Sequence, residues 1–198
     1  MKEVLIATKN AGKVGEFQEL FAAYDIAVKS LLDFDEEITD IEETGTTFSE
    51  NAAIKAEAAM DHYQIPVIAD DSGLEIDALD GAPGVYSARY AGKDKDDDKN
   101  MEKVLDELID TPLEKRTARF VCAIAIARPN EDTFVKTGVC EGSIALMSRG
   151  ANGFGYDPIF IPKGSDRTMA EHTSEEKNSI SHRHYAILQI EEWLKDQS

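Results

Sequence analysis

The chain predicts an α/β fold in which a mixed β-sheet is flanked by helices, and three observations carry that expectation. Short apolar runs of strand character alternate with segments whose apolar residues recur every three or four positions. A hairpin signal around Pro129-Asn130-Glu131-Asp132 coexists with strand–turn–helix units, which a purely parallel doubly wound sheet would not contain. Finally, 198 residues suffice for a single domain spanning 1–198, or one domain with two lobes, to bury a core without disulfides.

Taken in order, Glu3 to Thr8 is a short apolar run and a buried strand. A polar turn follows. Val14, Phe17, Leu20, Phe21 and Tyr24 then fall on one face of a helix with Asn10 as its N-cap. Leu31 to Glu43 is acidic and irregular, with a short strand near Ile38–Ile41. Thr47 and Glu50 have capping-box spacing and start an Ala-rich helix from Phe48 to about His62, which Pro66 prevents from continuing. Val67-Ile68-Ala69 is a strand that ends at Asp70-Asp71-Ser72-Gly73, and Leu74 to Leu79 resumes extended structure. Asp80 to Gly84 is a loop by composition. The charge run Lys93 to Asn100 is a solvated loop and helix start, and Met101, Val104, Leu105 and Leu108 mark that helix. Phe120 to Ala127 is the central strand, Thr133 to Cys140 its hairpin partner, and Ser143 to Met147 a further strand. Gly150 to Asp157 is a glycine-rich loop. Ser181 to Lys195 is a helix with Ile187, Ile190 and Leu194 on one face.

Composition excludes several classes of function. No segment approaches the roughly 18 apolar residues of a membrane span, and Met1 to Thr8 is too short and too acidic for a signal peptide. These features predict a cytoplasmic protein with no membrane partner. With 21 Lys and Arg against 39 Asp and Glu, the net charge is −18, which repels a nucleic-acid backbone, and no basic run overrides it. A polyanionic substrate would therefore need its own concentrated cations, a metal or a lysine cluster. Cys122 and Cys140 form no C-x-x-C pair and lie in apolar stretches, so both are expected as buried reduced thiols.

Four constellations could carry chemistry. Thr8 to Lys13 leads from a strand into a helix N-terminus, whose free N–H groups suit an anion, although an ordinary capped helix has the same local pattern. Asp70 and Asp71 are adjacent carboxylates at a strand end, which repel one another unless a cation or proton intervenes, and their hard oxygens suit Mg²⁺. Turn chemistry would also account for Asp-Ser-Gly there. Glu42-Glu43 is a second acidic pair before a helix. In Gly153-Phe154-Gly155-Tyr156-Asp157-Pro158, glycines leave an aromatic ring unshielded for stacking on a planar ligand. Ser174 to Arg183 is a polar segment that reads equally as a surface helix entry.

These blocks, in this order and at these separations, resemble the inosine triphosphate pyrophosphatase family, the non-standard purine NTP pyrophosphatases. The matching stretches are T-K-N-A-G-K at Thr8–Lys13, E-E-T-G-x-T-F-x-E-N-A at Glu42–Ala52 with Lys55 beyond it, and A-D-D-S-G-L at Ala69–Leu74. They continue with G-A-P-G-V-Y-S-A-R-Y at Gly81–Tyr90, G-F-G-Y-D-P-I-F at Gly153–Phe160 and E-E-K-N-S-I-S-H-R at Glu175–Arg183. Lys9 stands where many members carry glycine, and lysine also occurs there.

The resemblance implies an elongated mixed sheet in two lobes with a central cleft, and Mg²⁺-assisted hydrolysis of ITP, dITP and XTP to the monophosphate and pyrophosphate. It implies that Thr8, Lys9, Asn10, Ala11, Gly12 and Lys13 cradle the triphosphate with Lys55 as a second cation. Glu42 and Asp71 would hold Mg²⁺, and Asp71 would also act as general base, with Asp70 a rival for either role. Ser72 would contact substrate, and Phe154, Gly155, Tyr156, Asp157, Lys177, His182 and Arg183 would form the base and sugar pocket. A homodimer is also implied, with Tyr86 and Tyr90 as exposed aromatics. Lys13 and Lys55, taken as surface lysines, should matter to phosphate binding far more than to stability. A Maf-like pyrophosphatase acting on other nucleotides, and a nucleotide-sensing module without catalysis, are the competing readings.

Overall fold

In the computed structural model, residues 3–33, 41–191 and 195 are described. The strand expected near Ile38–Ile41, except Ile41 itself, and Leu194 of the last helix lie outside them. Six strands form one mixed sheet in the order β2-β1-β3-β4-β5-β6: β1 (Glu3–Ile6), β2 (Ala27–Ser30), β3 (Val67–Ile76), β4 (Thr117–Ala127), β5 (Phe134–Ile144) and β6 (Phe160–Pro162). The helices are α1 (Ala11–Ala22), α2 (Phe48–Tyr63), α3 (Asp97–Glu107), α4 (Ser174–Ile180) and α5 (His182–Leu188). The expected mixed sheet is observed: β1 runs parallel to β2 and β3, whereas β5 and β6 are antiparallel. No helix among the described residues is long and apolar enough to cross a membrane.

The chain divides into two compact units. The first comprises Met1–Asp71, Cys122–Gly138 and His184–Ser198. Its core gathers Val4 and Ile6 of β1, Phe17 and Phe21 of α1, Ile68 of β3, Ile124 and Ile126 of β4, and Ile187 with Ile190. Asn10 caps α1 and Thr47 with Glu50 closes the capping box of α2, as their spacing predicts. The register places chemistry. β1 pairs with β3 only through Leu5↔Val67 and Ile6↔Ile68, after which the chain from β1 turns into α1. β3 runs on, so Asp70 and Asp71 stand beyond the parallel pairing, beside the start of α1.

The second unit comprises Ser72–Val121 and Val139–Arg183. Leu74, Ile76, Met101, Val104, Leu108, Phe120, Ile144 and Phe160 build its core. Arg116 is 3% exposed and donates to the carbonyls of Leu108 (2.6 Å), Thr111 (2.9 Å) and Ala145 (3.1 Å), satisfying carbonyls at and beyond the end of α3.

Four boundaries differ from expectation. Asp70-Asp71-Ser72-Gly73 does not end a strand but lies inside the ten-residue β3, because neighbouring strands keep the backbone extended where composition suggests a turn. Beyond it, Asp77–Leu79 is a 3₁₀ turn rather than strand. Ser143 and Ile144 are the end of β5, paired with Ile161 and Phe160, so no separate strand runs to Met147. The final helix begins at His182 as α5, and the polar segment before it forms α4, started by a Thr173–Glu176 capping box.

Candidate active site

In the first unit, Asn10 Oδ1 accepts the Lys13 N–H at 3.1 Å, and the Asn10 N–H donates to Thr8 Oγ1 at 3.2 Å. Lys9, Asn10 and Ala11 are exposed, with Gly12 and Lys13 partly buried. The first turn of α1 carries no acidic side chain, so its N–H groups meet no carboxylate of their own turn. Lys13 reaches across to β3, where its Nζ lies 2.9 Å from Asp70 Oδ2. Lys55, from α2, lies 3.0 Å from Glu43 Oε1 and 3.4 Å from Asp71 Oδ1.

Among the described residues, three carboxylates thus meet two ammonium groups in a largely buried cluster. Burial raises the Asp71 pKa; Lys55 and Lys13 oppose the rise, while Glu43 and Asp70 add to it. For Lys55, burial pulls the pKa down, but Asp71, Asp70 and Glu43 outweigh it and the net shift is upward. Asp71 Oδ2 is buried, and no described residue donates a hydrogen bond to it. A shielded carboxylate oxygen beside further carboxylates matches what a hard divalent cation requires. Among the described residues no three or more His, Cys, Asp or Glu side chains converge on one point, so such a cation would rely on water and substrate oxygens as well.

The lysines are not surface lysines. The Lys13 and Lys55 side chains are 15% and 12% exposed, and each meets a carboxylate, so the expectation of exposed lysines is corrected and their loss should cost stability as well as phosphate binding. The acidic loop also differs in detail. Glu42 is exposed, whereas Glu43 turns to Lys55. Asn51 Oδ1 accepts the Gly45 N–H, and Glu50 accepts both N–H groups of Thr46 and Thr47, tying this loop to α2.

In the second unit, Phe154, Asp157, Lys177 and Arg183 come together. Asp157 Oδ2 accepts both Lys177 Nζ (2.6 Å) and the Phe154 N–H (3.0 Å). Gly153 permits this: its φ is +76°, and a Cβ there would fall 2.0 Å from Asp157 Oδ2. Lys177 Nζ stands 4.6 Å from the Phe154 ring centre and the Arg183 guanidinium 5.6 Å, so the ring is not bare but carries two cations. Arg183 Nη2 donates to Ser72 Oγ at 3.0 Å. His182 stacks on Phe120, with ring centres 4.9 Å apart and planes 20° from parallel. Tyr156 is buried, which pushes its phenol pKa up, and its hydroxyl donates to the Ser87 carbonyl at 2.7 Å. Gly155 donates its N–H to Asp97 Oδ2 at 2.8 Å.

Sequence reasoning missed Glu43 as the acid that meets Lys55, and Asp97 altogether. Glu43 is indistinguishable from Glu42 by composition, and Asp97 is hidden in a charge run. Tyr86 is exposed as expected, whereas Tyr90 is partly buried and donates its hydroxyl to Glu107. Both cysteines are buried and free, and burial pushes the Cys140 thiol up to about 11.

The sequence pattern of the Ham1 family matches residues 4–193. A protein of Halalkalibacterium halodurans named dITP/XTP pyrophosphatase is 59% identical over 194 residues, spanning 98% of this chain and 100% of the relative. One of the same name from Oceanobacillus iheyensis is also 59% identical, over 98% of each chain. Among solved structures, the Staphylococcus aureus Ham1 protein superposes with a TM-score of 0.87 at 46% identity, over 100% of both chains. The nucleoside-triphosphatase, dITP/XTP pyrophosphatase, of Mycobacterium abscessus gives 0.77 at 42% identity, over 95% of this chain and 98% of its own.

Proposed function

The chain belongs to the Ham1 family, and we propose that it is a nucleoside-triphosphate pyrophosphatase that hydrolyses dITP, ITP and XTP to the monophosphate and pyrophosphate, clearing the nucleotide pool of non-standard purines. The observation that carries the mechanism is the shielded Asp71 oxygen in a lysine–carboxylate cluster.

Phosphoryl chemistry asks a protein mainly for positioning and charge neutralisation. Thr8 to Lys13 cradle the triphosphate on the N-terminus of α1, with Lys13 and Lys55 as its cations. The phosphates compete with Asp70 and Asp71 for these lysines, so substrate replaces part of the internal pairing. Asp71 takes the proton of the attacking water as the new oxygen–phosphorus bond forms at the α-phosphorus. The bond from that phosphorus to the bridging oxygen breaks, and pyrophosphate departs with the electron pair. A raised pKa suits Asp71 to that work, since a base is most effective when its pKa approaches the working pH. Asp71 and Glu42 would hold Mg²⁺, with water and substrate oxygens completing its shell. When bound, Mg²⁺ supplies phosphate neutralisation and a lowered pKa for the water.

In the second unit, Phe154 stacks on the base. Arg183 and His182 donate to the C6 carbonyl shared by hypoxanthine and xanthine, and Asp157 accepts from N1–H. Adenine reverses both groups and leaves buried polar atoms unsatisfied. Gly155, Tyr156 and Lys177 complete the pocket, and Ser72 contacts substrate beside Arg183. A cytoplasmic homodimer accords with the family resemblance; sedimentation at two protein concentrations checks the assembly.

The experiment is pyrophosphate release from ITP, XTP, dTTP and ATP, with and without Mg²⁺. Rapid, Mg²⁺-dependent release from ITP and XTP is expected. Preference for dTTP would transfer the protein to the Maf-like reading, and nucleotide binding without release to the sensing one.

A further inference from the structure

We propose that Asp97 is a positioning residue for nucleotide binding: it fixes the loop that carries Phe154, and through it the ring on which the base stacks. The inference rests on the reading of Phe154 given above. Asp97 lies in the first turn of α3, inside the run K-D-K-D-D-D-K-N, and its composition suggests nothing but solvated surface. Its neighbours fit that description. Lys93, Asp94, Lys95, Asp98 and Lys99 are exposed, and Asp96 serves as the N-cap, accepting from the Lys99 N–H at 3.1 Å. Asp97 instead reaches a segment 58 residues away and accepts the Gly155 N–H at 2.8 Å.

The position of that bond gives it consequence. The N–H just before the Phe154 Cα is held by Asp157, and the next N–H along the chain, that of Gly155, is held by Asp97. Both peptide planes flanking one Cα are thereby anchored, each by a carboxylate from a different element. With both planes set, the two soft backbone dihedrals of Phe154 are set, and so is the direction in which its side chain leaves the backbone. Asp157 is itself locked by Lys177 at 2.6 Å and is buried. Asp97 is exposed and reaches the loop from the solvent side, so it is the anchor that can be removed without opening the core. Ring orientation matters because stacking depends on the geometry of approach, and a group held slightly off loses binding energy without losing its chemistry.

The test uses Asp97→Ala, Asp97→Asn and Asp98→Ala in the full chain. Asp97→Ala should raise KM for ITP about three- to tenfold, the range of one lost hydrogen bond, with kcat within about twofold. Asp97→Asn keeps an acceptor oxygen and should restore most of the KM. Asp98→Ala removes a neighbouring negative charge from the same helical turn and should leave KM unchanged, which separates the contact from the helix dipole. Amide exchange at the Gly155 N–H should accelerate in Asp97→Ala and not in Asp98→Ala. A wild-type KM in Asp97→Ala, or equal KM shifts in Asp97→Ala and Asp98→Ala, overturns the inference. Phe154→Ala tells its failure apart from that of the reading beneath it. A raised KM there beside an unaffected Asp97→Ala removes the inference alone, whereas a wild-type KM in Phe154→Ala removes the stacking reading and the inference together.

Discussion

In the first unit, Lys13 and Lys55 face Glu43, Asp70 and Asp71; in the second, Lys177 and Asp157 form a one-to-one pair at 2.6 Å, and Arg183 bonds the neutral Ser72 hydroxyl. Both clusters are largely buried, yet they mix carboxylates and cations in opposite proportions. The second sets two cations, Lys177 and Arg183, beside one carboxylate, and Asp157 also accepts the Phe154 N–H, so its charge serves to hold a backbone in place. The first sets three carboxylates against two lysines among the described residues and keeps an Asp71 oxygen that meets no described donor. On the proposed reading the first receives a polyanion and a cation, and keeps charges that ligands can complete. On the same reading the second recognises a planar base, and its carboxylate both fixes the local backbone and accepts from that base.

Four experiments would break or sharpen that contrast. The largest effect is expected for Asp71→Asn, which should lower kcat by about 10²- to 10⁴-fold without lowering the thermal midpoint. Pyrophosphate release and a melting curve on the same preparation check both halves; a markedly less stable variant would mean that the first cluster, like the second, is a structural pair. Lys13→Ala should do the opposite to stability. It strips the cation from Asp70, whose side chain is fully buried, and should cost about 3 kcal/mol in denaturant unfolding as well as raise KM. Arg183→Ala should narrow the ITP to ATP ratio of kcat/KM by about tenfold, the cost of one charged hydrogen bond. An unchanged ratio with both rates reduced would hand Arg183 to the fold or the phosphates.

The smallest effect is the pH dependence of metal-free stability. A carboxyl whose pKa is raised on folding contributes stability that is complete below its ordinary value, near 3.8, and is lost as pH rises through its folded value. Asp71→Asn does not titrate. Its melting temperature relative to wild type should therefore drift upward from pH 4 to pH 7, and a flat difference would remove the claim that Asp71 is held charged at a cost.

Local signals carried most of the elements. Asn10 and the Thr47–Glu50 box start helices as their spacing predicts, because a cap is a bond between residues three apart and needs no help from elsewhere. Strand boundaries were less legible. Asp70 to Gly73 looks like a turn and lies within β3, since pairing with neighbouring strands overrides weak local preference. The candidate site divides along the same line. The motif blocks single out Asp71, Lys55, Phe154 and Arg183, and the structure brings Lys55 to Asp71 and Arg183 to the Phe154 ring.

What the sequence by itself determined is the α/β class with its mixed sheet, the capped helices, the buried free cysteines, and the residue types available for a phosphate end and a base end. Only the tertiary structure decided which charges meet. It chose Glu43 over Glu42 for Lys55, gave Asp70 to Lys13, wrapped Asp157 around the Phe154 backbone and brought Asp97 to Gly155. These pairings join positions 12, 57, 3 and 58 residues apart. All but the third lie beyond the reach of any local pattern, because the energy of a charge pair depends on distance and burial in space, neither of which composition or periodicity encodes.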